Sequence, residues 1–157
     1  MSNIGTPISA QEVLDEYWDG SLPVNPISIA QALGIAVYKN PNLTMSGMLA
    51  ERKGGPAIIY NSNEATTRQR FTIAHEIGHY ALGHGLSFRD GTNEFNLHNY
   101  EVPEVEANRF AAELLMPGDV VERYALKRRQ TLASLAKLFD VSRVAMKIRL
   151  QTLGLIF

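Results

Sequence analysis

Apolar positions recur at helical spacing through most of the chain. Val13, Leu14, Tyr17 and Trp18 follow a Ser9-Ala-Gln-Glu12 capping box. Asn25-Pro26 reads as a cap and first helical residue for Ile27, Ile29, Ala30 and Leu33, with Gly34 as its stop. Periodicity then shortens to runs of strand length at 35–38, 46–51 and 56–60, broken by Asn40-Pro41-Asn42 and a Gly54-Gly55 turn. They predict a small, mostly antiparallel three-stranded sheet. One strand must lie at an edge, either open to an extended peptide or covered by a loop.

Helical spacing returns over 64–82, with Asn61-Ser62-Asn63 as the expected caps. Phe71, Ala74, Ile77, Gly78 and Ala81 form its packing side. Gly78 costs about 1 kcal/mol against alanine inside a helix, which close approach by another helix would explain. Residues 83–102 are polar and irregular, the composition of a lid or binding loop. Pro103 opens a further helix that Pro117-Gly118 ends. Asp119 is the expected cap of a segment reaching about 129; Thr131 caps 132–139, Ser142 caps 143–153, and 155–157 read as extended. The pattern predicts one α+β domain over 1–157: N-terminal helices at 1–34, the sheet at 35–61, helices and a loop at 62–117, and a helical segment at 118–157.

Composition adds limits. The 157 residues suffice for one real core, and no cysteine is available for disulfides, zinc fingers or thiol chemistry. The start lacks a secretory pattern and no apolar run reaches bilayer length, so a soluble, cytoplasmic protein without membrane contact is expected. Charge is uneven: 7 Lys and Arg against 14 Asp and Glu in 1–120, but 8 against 2 in 121–157. Such a basic segment is either a solvated helix face, the favoured reading, or a surface for nucleic acid or an acidic partner.

The chemistry concentrates in His75-Glu76-Ile77-Gly78-His79. On a helix the two imidazoles lie one turn apart on one face, about 6 Å along the axis, which suits two ligands of one tetrahedral Zn²⁺. Glu76 is placed to act as general base on a water there. A third protein ligand is needed. His84 would have to fold back past the helix end. Glu104 and Glu106 lie two positions apart, so at most one faces the metal. Glu104 shares an inward stripe with Asn108, which could brace a ligand histidine; the metal set is therefore read as His75, His79 and Glu104. The alternative role for Glu104 is a favourable charge at a helix N-terminus. Tyr80, His84, His98 and Tyr100 are unranked candidates for steadying an oxyanion.

Beyond these residues, the sequence resembles the ImmA/IrrE family of metallo-endopeptidases. The resemblance lies in Ile29 to Ile35, Ser46-Gly-Met-Leu49, Arg68-Gln-Arg-Phe71 leading into the histidine motif, Glu104 to Pro117, and Leu135 to Leu155. It implies a zincin-like domain with His75 and His79 as ligands of one zinc ion, Glu76 as general base and the acidic ligand within 104–108. It also implies a protein substrate, a helix-turn-helix repressor of a mobile element or stress regulon. Two rivals remain. Residues 132–153 have a helix-turn-helix rhythm and a basic surface, so the chain could bind DNA, the weaker reading. It could also sequester a repressor without cutting it.

Overall fold

The computed structural model describes residues 6–85, 101–127 and 129–155. The first helix, α1 (Ala10–Tyr17), starts at the expected capping box: the Glu12 amide donates to Ser9 Oγ at 3.1 Å and the Ser9 amide to Glu12 Oε1 at 2.9 Å. In α2 (Pro26–Ala32) the Asn25 side chain accepts from the amides of Ile27 and Ser28, with Pro26 in the first turn.

Three strands follow: β1 (Ala36–Lys39), β2 (Gly47–Arg52) and β3 (Gly55–Tyr60). Their order in space is β1-β3-β2. β2 and β3 pair antiparallel across the Gly54-Gly55 turn, Leu49 facing Ile58, as the sequence suggests. β1 pairs with β3 in parallel, Val37 beside Ile58, so the sheet is mixed rather than mostly antiparallel. The cause is burial. β3 buries Pro56, Ala57, Ile58 and Ile59 in succession, the signature of a strand covered on both faces, and takes the centre. β1 is largely exposed and is left at an edge.

The long helix α3 (Thr66–Ala81) lies between the sheet and α4 (Val102–Leu115). Ile73, Ala74, Ile77 and Ala81 are buried in the same core as Leu49 and Ile58 of the sheet and Phe110, Ala111 and Leu114 of α4. Gly78 sits where the helices touch: a Cβ there would lie 3.0 Å from Phe110 Cβ. The expected caps of α3 are corrected. Its N-cap is Ala65, with no side-chain hydrogen bond. The Asn61 amide group instead donates to the carbonyls of Leu43 and Met45 and ties down the approach to β2, while its oxygen accepts from the Asn63 amide.

The chain closes with α5 (Gly118–Ala125), α6 (Leu132–Phe139) and α7 (Arg143–Thr152). Asp119 is not the cap of α5; Pro117 holds that position and Asp119 lies in the first turn, where the helix dipole favours a negative charge. Thr131 and Ser142 cap α6 and α7 as expected. Two arginines bind this segment to the rest. Arg70 of α3 donates to the carbonyls of Phe139 and Asp140 at 3.2 and 3.0 Å and pairs with the Asp140 carboxylate at 3.3 Å. Arg149 of α7 donates to the Met116 carbonyl at 2.9 Å, at the end of α4. Burial pushes both guanidinium pKa values down; the charges of Asp140 and Glu113 oppose it. Among the described residues, no helix is long and apolar enough to cross a membrane. The sequence expectations for 156–157 and for most of the polar loop lie outside the described residues.

Candidate metal centre

Helix geometry brings His75 and His79 together from α3, with their Nε2 atoms 3.1 Å apart. Glu104, in the first turn of α4, sets Oε1 3.1 Å from His75 Nε2 and Oε2 3.1 Å from His79 Nε2. One ligand atom from each of the three lies within 4.8 Å of those of the other two. A tetrahedral ion with bonds of about 2.0–2.1 Å holds its ligand atoms about 3.3 Å apart, so the spacing fits. Two imidazoles with one carboxylate suit a zinc-like divalent cation better than magnesium or calcium, which favour all-oxygen shells. For Glu104, burial is the largest single influence and opposes ionisation. The hydrogen bonds and charges of His75 and His79 together outweigh it and hold the carboxyl far below the usual carboxylate range.

The partners behind the histidines differ. His75 Nδ1 lies 2.8 Å from Asn108 Oδ1, one turn beyond Glu104 on α4, where the sequence suggested a brace. His79 is fully buried, and its Nδ1 lies 2.8 Å from His84 Nδ1. His84 Nε2 in turn lies 2.8 Å from Glu106 Oε1. The two residues weighed against Glu104 as ligand thus occupy the layer behind it. The sequence reading missed that pairing. Its signal was Gly83, a helix-stopping residue placed immediately before His84.

Glu76, only 5% exposed, lines a groove of about 1090 Å³ together with His75 and Glu104. The other walls are residues 45–47 at the entry to β2, Arg68 and Phe71 of α3, Asn108 and Arg109 of α4, and Val144 and Ile148 of α7. Arg68 donates to Ser46 Oγ at 3.3 Å across the groove's β2 side. Of the four oxyanion candidates, Tyr80 and His84 do not line this groove, and His98 and Tyr100 lie outside the described residues.

The sequence was compared with known proteins. The family model described as the IrrE N-terminal-like domain, a peptidase family, matches residues 30–151. This chain belongs to the ImmA/IrrE family. The matched stretch contains the whole metal trio, Glu76 and the layer behind the histidines. One relative in the family is the uncharacterized immunity region protein 2 of Bacillus phage phi105, 35% identical over 101 residues, which are 64% of this chain and 63% of that protein. Another is the radiation response metalloprotease IrrE of Deinococcus deserti, 39% identical over 90 residues, 54% of this chain and 32% of that protein. The match therefore spans less than two thirds of either relative's length.

Proposed function

We propose that the protein is a zinc-dependent endopeptidase in which His75, His79 and Glu104 hold the metal and Glu76 is the general base. The observation that carries this is the trio of ligand groups spaced 3.1 Å apart at the wall of a groove that Glu76 also lines. When bound, the ion supplies Lewis acidity, making a water acidic and a carbonyl electrophilic near neutral pH. Glu76 accepts the proton of the attacking water and returns it to the departing amine nitrogen. A groove of about 1090 Å³ bordered by β2, α3, α4 and α7 has room for a short polypeptide segment. β2 is an edge strand of the sheet and residues 45–47 at its entry line the groove, an arrangement that suits an extended segment.

The substrate we infer is a helix-turn-helix transcriptional repressor, and the setting cytoplasmic. Support comes from the family and from the regulatory sense of its relatives' names, an immunity region protein in one case and a radiation response metalloprotease in the other. Direct DNA binding is the weaker proposal, because α7, the would-be recognition helix, lends Val144 and Ile148 to the groove and turns Arg149 inward. The test is incubation with a purified helix-turn-helix repressor, read by mass spectrometry. Cleavage at one bond, stopped by a chelator, is expected. Glu76→Gln should keep zinc and lose at least ~10²-fold in turnover, the scale of a general base. An active Glu76→Gln variant refutes the assignment, and a stable complex without cleavage identifies sequestration instead.

A further inference from the structure

The last turn of α3 has a specific shape. Leu82 is its C-cap, and Gly83 follows with φ +73°, a conformation that glycine adopts without strain. The Gly83 amide donates to the Tyr80 carbonyl at 3.2 Å and the His84 amide to the His79 carbonyl at 3.0 Å. These are the two bonds of a Schellman motif, which folds the second residue past the cap onto the residue five before it. That pair is commonly apolar. Here it is His84 on His79, joined nitrogen to nitrogen at 2.8 Å.

Glu106 completes the line from α4, its Oε1 2.8 Å from His84 Nε2. The direction of the protons follows from chemistry. A carboxylate only accepts, so His84 carries its proton on Nε2. A neutral His84 then has a bare Nδ1, which accepts from Nδ1–H of His79. His79 is left with its lone pair on Nε2, the atom that faces Glu104 and His75. Because the His79 side chain is wholly enclosed, water cannot replace this partner.

We propose that His84 and Glu106 are positioning residues: a two-member relay that fixes the tautomer and ring orientation of His79 for metal binding. The proposal rests on the reading of His75, His79 and Glu104 as the metal site. The relay couples the end of α3 to the first turns of α4, the two helices that supply the ligands. Partners of this kind are worth 10–100-fold in metal affinity.

The experiment measures zinc affinity by chelator competition, with thermal unfolding of the metal-free protein alongside. Wild type must bind one zinc; if it does not, the metal-site reading fails before the relay is at issue. Given binding, Glu106→Ala and His84→Phe should weaken zinc 10–100-fold while leaving metal-free unfolding of Glu106→Ala near wild type, since Glu106 is half exposed. Glu106→Gln, whose amide oxygen still accepts from His84, should recover affinity to within about threefold of wild type. Wild-type affinity in Glu106→Ala overturns the relay, whatever His84→Phe does. So does a Glu106→Gln variant as weak as the alanine.

Discussion

As proposed ligands, His75 and His79 would do the same job from unlike surroundings. His75 is partly open at 16% side-chain exposure and leans on a single amide, Asn108; His79 is closed off entirely. Asn108→Ala should therefore weaken zinc about 10-fold, near the lower end of the range for such partners, because solvent can reach the vacated position. Asn108→Asp, which keeps an acceptor at the same place, should retain affinity. Chelator competition checks both. The positions of His75, His79, Glu76, Glu104 and Asn108 were legible in the sequence because each lies on a helix, where spacing alone fixes direction. The His84 contact was not legible in that way. It depends on a change of backbone direction after Leu82, and only recognition of Gly83 as the pivot leads to it.

Between elements, the decisive contact is α3 against α4. A Cβ on Gly78 would meet three Phe110 side-chain atoms at 3.0–3.1 Å. Gly78→Ala sets about 1 kcal/mol of regained helix propensity against that crowding and should be close to neutral. Gly78→Val adds further carbons where none fit and should destabilise by about 1–3 kcal/mol, measured by chemical denaturation. It should also loosen zinc, since both ligand-bearing helices shift. The strands themselves could be read from their apolar runs, but their order could not. Pairing is a long-range matter, decided here by β3 having the apolar surface to fill the centre. The start of α3 was misjudged for a related reason: Asn61 meets partners at 43 and 45, far back along the chain.

At the scale of the molecule, metal binding and folding should be linked. With free zinc at 1,000 times its dissociation constant, the native state gains about 4 kcal/mol. For a chain of this size that is a rise of roughly 8–16 °C in the unfolding midpoint. Scanning calorimetry should show that rise with zinc, and lose it in His75→Ala or with excess chelator. The α+β class was visible from the succession of patterns. The use of α7 as a groove wall was not, because the same helical rhythm serves a DNA reader or a packed support. On α7, Arg149 turns inward to the Met116 carbonyl while Val144 and Ile148 border the groove, which is the observation behind the preference for a packed support.

The two arginine ties of the C-terminal segment have a consequence for how such a protein changes over generations. Arg149 holds α7 by its buried side through the Met116 carbonyl, and Arg70 holds the end of α6 just before it through the Phe139 and Asp140 carbonyls and the Asp140 carboxylate. Val144 and Ile148, at 68% and 56% exposure, are left out of that attachment and still border the groove. Substitution there reshapes what fits the groove without disturbing a ligand, a cap or the core. On the proposed function the chemistry lies on α3 and α4 and the choice of target on α7, so the target could drift while the chemistry is inherited intact.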